Sequence, residues 1–529
     1  MYTDLRNVFQ TVALLKEHDV KKIVICPGNG NNPITDFLSS NSFFTCHRIS
    51  DVRSAGFFAL GLALHGGKPA AVCCTSPRDL PDIHPAVAEA YRQHLPLVVI
   101  SSISEGEEWM TEAMLKQQNV FGELVKKFVS LPVVHTDEEE RYCNLLVNEA
   151  LMEMSHHGKG PVHIFVPTFV GAENLAAESL PKVRVITRYQ GLNAYDREYD
   201  TLMERLNKYH RRMVIAGQMS VIYMFEKSIT KLLYKHFAWL TEHTGNRTTP
   251  GMAIKNFDAA LSSLSEKALK SLQPDLVITY GGNIVSQRLK EFLRDNPPKE
   301  HWHVSPQGEV YDPYGCLTTV IEMDPFEFLE RIAHLMENKP TDFPRLWENT
   351  TKELPQPSCG YSGMGVVGRL LKTLPTPSAL HLGGTAVAKL AQLYGLPEGV
   401  EVCGNLAPGG VGGTLATAIG YSVASDKLNF VVMGGADSPC NMDALRCDGY
   451  GCNLRILLLS EEHQASMEHQ ATERGFMYRG VKNKEEMEEA MQSFTDPNPM
   501  SQPLFLEVFT NKNEDARLLE AYLGGIKQK

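Results

Sequence analysis

The sequence has no apolar run long enough to cross a membrane, since none reaches the roughly 18 residues that a transmembrane helix needs. Its first residues, MYTDLRNVFQ, bring acidic and basic side chains together and lack the apolar core of a secretory signal. We therefore expect a cytoplasmic protein that has no membrane partner.

Positive charge is also in short supply, because 51 Lys and Arg face 62 Asp and Glu, for a net charge of -11. Such a chain is poorly suited to a nucleic-acid backbone, so we expect no nucleic-acid partner. The 11 cysteines contain no C-x-x-C pair, which disfavours a structural zinc site of that type and a disulfide framework. With 43% hydrophobic and 21% charged residues, the 529 residues are typical of a folded protein of several domains.

Short apolar strands alternate with helical patterns in the first third of the chain. Strands are predicted at 22–26, 70–74, 97–101 and 162–166, and a helix rich in small residues at 54–64. This alternation is typical of a parallel sheet with helices on both faces.

The same alternation returns twice. Strands are predicted at 213–216, 276–280 and 319–323, then at 380–382, 401–403, 429–433, 455–459 and 504–509. The proline-rich stretch 340–358 is interpreted as a linker. The fold class is therefore α/β, with three doubly wound parallel-sheet domains at 1–180, 190–340 and 358–529.

Three glycine-rich loops follow predicted strands: PGNGNN at 27–32, PGGVGG at 408–413 and GGADS at 434–438. Such loops can present backbone N–H groups to a phosphate. They can equally serve only as tight turns, and none continues into the Gly-Lys-Ser/Thr of a Walker A loop.

The stretch DVRSAGFFALGLA at 51–63, followed by GKPAAVCCTS at 67–76, resembles the thiamine-diphosphate enzyme family. Within it, the sequence is most similar to the 2-succinyl-5-enolpyruvyl-6-hydroxy-3-cyclohexene-1-carboxylate synthases of menaquinone biosynthesis, and the resemblance extends over essentially the whole chain. It implies a pyrimidine-binding, a central and a diphosphate-binding domain. It also implies a homodimer or homotetramer, because the family's cofactor lies between the first domain of one subunit and the third of another.

The resemblance implies thiamine diphosphate and Mg²⁺ as cofactors. In the family, a glutamate of the first domain activates the cofactor, which decarboxylates 2-oxoglutarate and joins the product to isochorismate. Arginines hold the substrate carboxylates, and an Asp and an Asn hold the metal ion.

Several family positions carry other residues in this chain. The activating glutamate falls on Val52, and substrate arginines fall on Gly30, Leu406 and Lys389, whereas a central-domain arginine is kept as Arg288. Substrate-binding positions implied by the resemblance are Asn29, Asn31, Gln117, Arg288 and Lys389.

The diphosphate and metal positions are changed as well. The metal-binding aspartate falls on Gly435 and the asparagine on Glu462, while Asp437 lies two residues beyond the lost aspartate. Asp437 and Glu462 are thus the candidate metal ligands, and the implied cofactor-binding positions are Gly409, Gly410, Gly434, Gly435, Asp437 and Ser438. The segment that covers the family's active site is also nearly absent, since few residues separate Leu459 from a helical pattern at 467–474.

Two functional hypotheses remain open. One is a diverged paralogue in which the parent reaction is lost or altered, and which pairs with itself or with an active family member. The other is an active carboligase that works without the activating glutamate, as glyoxylate carboligase, a related family with valine at this position, does.

Two further groups of residues are candidates for chemistry. Glu461, Glu462, His463 and His469 form a polar cluster that is either a metal site or a solvated loop. Cys26 and Cys74 are candidate nucleophiles, although the sequence shows no base placed to activate them.

Overall fold

The computed structural model describes residues 5–26, 32–76, 79–105, 119–169, 180–186, 197–220, 225–246, 253–308, 311–336, 339–352, 354–355, 357, 359–406, 412–434, 444–445, 449–461, 463–498 and 500–527. Contacts divide the chain into two compact units. The first comprises 1–190, 407–427 and 437–454, and the second 191–406, 428–436 and 455–529.

The first unit contains a six-stranded parallel sheet of order β2-β1-β3-β4-β6-β5. Its strands are β1 (Lys22–Ile25), β2 (Thr45–Arg48), β3 (Ala70–Cys74), β4 (Leu97–Glu105), β5 (Lys127–Ser130) and β6 (Val162–Phe169). The accompanying helices are α1 (Arg6–Glu17), α2 (Pro33–Ser40), α3 (Val52–Leu64), α4 (Leu80–Arg92) and α5 (Asp137–Glu153). All five residues of β3 are buried, as expected for a central strand covered on both faces.

Helix α4 begins earlier than the sequence pattern indicates. The sequence pattern predicts a helix at 86–93, yet α4 begins at Leu80. Pro81 lies in the first turn, where the backbone N–H has no partner within the helix to lose. Pro85 lies inside the helix, whose buried face of Leu80 and Ile83 continues across it.

The second unit contains two parallel sheets, of which the first has five strands in the order β11-β10-β9-β7-β8. These strands are β7 (Arg212–Ala216), β8 (Ala238–Thr241), β9 (Leu276–Tyr280), β10 (Glu300–Ser305) and β11 (Thr319–Glu322). The helices of this part are α6 (Arg197–Lys208), α7 (Lys227–His236), α8 (Phe257–Ser263), α9 (Glu266–Ser271), α10 (Gln287–Asp295), α11 (Pro325–Leu335) and α12 (Phe343–Lys352).

Helix α12 corrects the interpretation of 340–358 as a linker. Pro344 lies at the second position of this helix, where proline is tolerated, and so does not break it. Trp347 is fully buried and packs edge-on against Phe292 at 5.8 Å between ring centroids. Part of the proline-rich stretch therefore belongs to a packed core.

The other sheet of the second unit has six strands in the order β13-β12-β14-β15-β17-β16. The strands are β12 (Ser378–Leu382), β13 (Val400–Gly404), β14 (Leu428–Gly434), β15 (Leu454–Glu461), β16 (Met477–Val481) and β17 (Leu504–Thr510). The helices are α13 (Gly363–Thr373), α14 (Gly384–Gln392), α15 (Thr414–Ala424), α16 (Glu468–Glu473), α17 (Lys484–Phe494) and α18 (Lys512–Lys527), of which α15 packs in the first unit.

Three parallel sheets with accompanying helices confirm the predicted α/β fold class. The boundaries at 1–180, 190–340 and 358–529 stay predictions. Only a short connection separates β15 from α16, as the sequence indicates. In the described part of the chain, we find no helix with the length and apolar character that a membrane span requires.

Candidate functional site

The first candidate position is the N-terminus of α3. Asp51 caps this helix, because its carboxylate accepts the backbone N–H of Ser54 at 2.7 Å. Val52 follows as the first helical residue and is half-buried. Its side chain can neither accept nor donate a proton. At the position that the resemblance assigns to the activating glutamate, the described structure therefore has a side chain that cannot take part in proton transfer.

Gly413, at the end of the second glycine loop, has a packing role. It precedes α15 with a φ of +84°, and a Cβ there would lie 2.4 Å from the ring of Phe57 on α3. Any larger residue would be strained and would collide with that ring. At this position of the loop, the close approach of two helices accounts for the glycine.

Cys26 and Cys74 do meet, as the ends of β1 and β3 lie side by side. Their sulfur atoms are 3.4 Å apart, and both side chains are buried. The hydrogen bond with Cys26 and burial raise the pKa of the Cys74 thiol well above its usual range. Because the thiolate is the reactive form, this arrangement does not favour a nucleophilic Cys74.

A second candidate site lies within the second unit, in a small cleft lined in part by Glu242, Asp258 and Ser286. Glu242 follows β8 and enters this cleft with its carboxylate held by two backbone N–H groups, Val285 at 2.8 Å and Ser286 at 2.7 Å. The hydroxyl of Ser286 in turn donates to the carboxylate of Asp258 on α8. Ser286 thereby links the two acids and also caps α10 through the N–H of Leu289.

Burial dominates the electrostatics of these acids. It raises the pKa of Glu242 to about 7, although the two backbone N–H groups oppose the shift. Burial also raises the pKa of Asp258, against the opposing effects of Ser286 and Lys389. A pKa near neutral pH makes Glu242 a candidate functional carboxylate.

The structure places two predicted substrate-binding residues near this acidic pair. Lys389 on α14 lines the cleft, and Arg288 in the first turn of α10 acts electrostatically on Asp258. Arg288 is exposed and pairs with Glu291 at 3.2 Å. Leu406, where the family has an arginine, is buried and also lines the cleft. The roles of Arg288 and Lys389 in binding stay predictions.

Sequence reasoning missed Glu242 and Asp258. A usable signal existed for Glu242, since an acidic residue directly after the buried strand β8 lies at a carboxyl edge, where ligands bind in open α/β sheets. Asp258 gave no such signal, because it lies in the first turn of α8, where acids are common.

Most other predicted site residues lie outside the described residues: Asn29, Asn31, Gln117, Gly409, Gly410, Gly435, Asp437, Ser438 and Glu462. Gly434 is described and ends β14, where a Cβ would lie 3.2 Å from that of Leu459. His463 is exposed in the connection after β15, whereas His469 is exposed on α16.

Comparison with known proteins matches two parts of the chain to family models. Residues 8–123 match the N-terminal TPP-binding domain of thiamine pyrophosphate enzymes. Residues 193–380 match the middle domain of thiamine pyrophosphate enzymes.

Full-length relatives decide the family. A protein of Bacteroides thetaiotaomicron named 2-succinyl-5-enolpyruvyl-6-hydroxy-3-cyclohexene-1-carboxylate synthase is 53% identical, over 100% of both chains. The chain belongs to this synthase family. A relative of the same name from Phocaeicola vulgatus is 52% identical, again over 100% of both chains.

The alignment with the Bacteroides thetaiotaomicron synthase extends over 556 positions for a chain of 529 residues. At least 27 positions of the synthase therefore have no counterpart in this chain, which agrees with a shortened family member.

Solved structures of more distant proteins share the fold. A putative thiamin diphosphate-dependent enzyme from Mycobacterium smegmatis superposes with a TM-score of 0.70 at 15% identity, over 95% of this chain and 99% of that one. The thiamine diphosphate-dependent 4-hydroxybenzoylformate decarboxylase of Rhodococcus jostii RHA1 gives 0.67 at 16% identity, over 96% and 99%.

Proposed function

We propose that this chain is a diverged paralogue of the synthase family that keeps the fold but does not condense 2-oxoglutarate with isochorismate. It would act as a binding or regulatory subunit, as a homodimer or homotetramer or together with an active family member. The observation that carries the proposal is Val52 at the first position of α3, where the family motif has its activating glutamate. An isopropyl side chain cannot take part in the proton transfer that this position serves in the family.

The cleft of the second unit supports the proposal independently. The parent substrates carry carboxylates, which arginines bind best. Among the described residues that line this cleft, the acids are Glu242 and Asp258, and Lys389 is the only lysine or arginine. Leu406 adds an apolar surface where the family has an arginine. This lining is poorly matched to a substrate of several negative charges.

The alternative is an active carboligase that works without the activating glutamate. It is supported by the 53% identity with a named synthase over the full length. Residues 435–443 and 462, where the family would hold its metal ion, lie outside the described part of the chain. An experiment is therefore needed to distinguish the non-catalytic paralogue from the active carboligase.

The test is turnover by the purified full-length protein with saturating thiamine diphosphate and Mg²⁺, 2-oxoglutarate and isochorismate. The Bacteroides thetaiotaomicron relative serves as the matched positive control. We expect no CO₂ release above the enzyme-free rate, together with a folded oligomer in light scattering. Turnover within about tenfold of the control, a loss of less than about 1.4 kcal/mol of transition-state stabilisation, would reject the proposal in favour of the alternative.

A further inference from the structure

A compact group of metal-ligand side chains lies in the second unit, on the sheet that contains β10. It consists of His301 on β10, Asp312 and Cys316, whose ligand atoms all lie within 4.8 Å of one another. His301 is fully buried, Cys316 is half-buried and the Asp312 side chain is 31% exposed. Imidazole, thiolate and carboxylate are the three ligand types that zinc takes in proteins.

The separations fit one shared ion. The His301 Nδ1 atom is 3.7 Å from the Cys316 sulfur and 3.8 Å from the Asp312 Oδ1 atom. Tetrahedral zinc with bonds of about 2.0–2.3 Å separates neighbouring ligand atoms by roughly 3.4–3.6 Å. A shift of a few tenths of an ångström therefore brings His301 to the required separation from each of the other two ligands, whose ligand atoms lie within 4.8 Å of each other.

Hydrogen bonds orient the histidine for this role. The Nε2 atom of His301 lies 2.9 Å from the hydroxyl oxygen of Thr279, and that hydroxyl lies 3.0 Å from Nδ1 of His303. If His301 donates to Thr279, and Thr279 to His303, the lone pair of His301 Nδ1 is directed at Cys316 and Asp312. Metal-binding histidines commonly donate their second ring N–H in this way.

The backbone fixes the other two ligands. The Asp312 carboxylate accepts the backbone N–H of Cys316 at 3.0 Å, which holds the two residues in one turn. The next segment returns to the strand, because Thr318 donates its backbone N–H to the carbonyl of His301 at 2.8 Å. The ring of Tyr314 packs edge-on against His301 at 5.6 Å and covers the buried side.

We propose that His301, Asp312 and Cys316 bind a divalent transition-metal ion of the zinc class, with water as the fourth ligand. Binding converts the Cys316 thiol to thiolate and releases its proton to solvent. The partial exposure of Asp312 provides the route for the ion and the position for the water. Sulfur and nitrogen ligands disfavour Mg²⁺, so this site is chemically distinct from the oxygen-ligand site that the family's Mg²⁺ requires.

Cobalt substitution tests the site on the full-length protein, since thiolate ligation gives Co²⁺ a charge-transfer absorption that oxygen ligands do not produce. We expect one Co²⁺ per chain with this absorption in the presence of excess Mg²⁺, and its displacement by one equivalent of Zn²⁺. Cys316→Ser should abolish the absorption, and Asp312→Asn should weaken Zn²⁺ binding at least tenfold. Cys46→Ser, which changes a half-buried cysteine of the first unit, is the matched control and should leave both unchanged.

Three results would overturn the proposal. They are the absence of Co²⁺ binding, binding without thiolate absorption, and an unchanged absorption in Cys316→Ser. If Co²⁺ does not bind, the 3.7 Å contact between Cys316 and His301 is explained by a thiol hydrogen bond alone. Because Asp312 is exposed, Asp312→Asn should fold, and circular dichroism checks each variant. Synthase turnover is not a readout, so the outcome is independent of the proposed function.

Discussion

Gly61 of α3 lies directly against the carbonyl of Thr417 on α15, within the first unit. A Cβ at Gly61 would be 2.0 Å from that oxygen and 2.8 Å from the backbone nitrogen of Tyr421. Gly420 makes the reciprocal approach, with a Cβ position 2.2 Å from the carbonyl of Phe58. The two helices thus contact backbone to backbone, which only glycine at these points permits.

We expect Gly61→Ala to lower the free energy of unfolding by about 1–3 kcal/mol or more, because the added methyl group forces the two backbones apart. Urea unfolding monitored by circular dichroism measures the effect. Gly524→Ala is the matched control, since Gly524 also lies in a helix but a Cβ there meets nothing within 4 Å. That variant should be neutral or gain up to about 1 kcal/mol. Equal effects of the two substitutions would contradict the close packing of α3 and α15.

Asn246 should be essential to the packing of the second unit. Its amide donates to the carbonyls of Met219 at 2.6 Å and Val402 at 2.9 Å, and its oxygen accepts the Val402 N–H at 2.7 Å. Its φ of +50° also disfavours alanine. We expect Asn246→Ala to lower the free energy of unfolding by roughly 3 kcal/mol. The substitution leaves the buried backbone groups of Met219 and Val402 without hydrogen-bond partners and strains the backbone.

Asn246→Gly separates these two causes, because glycine tolerates the positive φ but makes no side-chain hydrogen bond. Denaturant unfolding should place it between wild type and Asn246→Ala, about 1 kcal/mol above the latter. If Asn246→Ala has the same free energy of unfolding as the wild-type protein, the hydrogen bonds to Val402 do not contribute to stability.

Glu242 should make stability depend on pH. Its folded-state pKa of about 7 lies above the ordinary value of about 4.3, so the folded state holds the proton more tightly than the unfolded chain does. The contribution of Glu242 to the free energy of unfolding is therefore fully present at low pH and is lost as pH rises between about 4.3 and 7. The loss amounts to roughly 3 kcal/mol.

Glu242→Gln keeps the neutral form at every pH and should remove this dependence. Near pH 4 we expect Glu242→Gln to be less stable than wild type by about 1–3 kcal/mol, because its amide nitrogen cannot accept one of the two backbone N–H bonds. Between pH 4 and pH 8 the difference should shift in favour of Glu242→Gln by roughly 3 kcal/mol. Glu266→Gln, at an exposed acid in the first turn of α9, is the control and should show no such trend. A constant difference between Glu242→Gln and wild type across this range would show that folding does not raise the pKa of Glu242.

Val52→Glu should not restore synthase turnover. The resemblance also assigns substrate arginines to Gly30 and Leu406, so we expect a single restored acid to leave the substrates unbound. The variant should fold normally, since a carboxylate in the first turn of a helix gains about 0.3–1 kcal/mol. CO₂ release from 2-oxoglutarate in Val52→Glu, with Val52→Gln as the uncharged control, measures the outcome. Turnover above the control would show that Val52 alone blocks the reaction.

The strand alternation of the sequence was sufficient to predict three parallel sheets, because buried strands such as β3 are continuous apolar runs. Strands without an apolar run were missed. The edge strand β2 has the partly exposed residues TCHR, and β10, inside its sheet, has the largely polar sequence EHWHVS although it is mostly buried. The prolines of 340–358 misled the interpretation, because Pro344 lies in the first turn of α12 and that helix has an apolar face to bury.

The sequence by itself determined the fold class and the family, and the resemblance assigns Val52 to the position of the activating glutamate. These conclusions depend on local pattern and on residue identity, which the chain carries in order. Only the tertiary structure joined Glu242 to Asp258 through Ser286, and His301 to Asp312 and Cys316. Such groups arise when loops at the ends of different elements fold together, and no spacing within the sequence specifies those contacts.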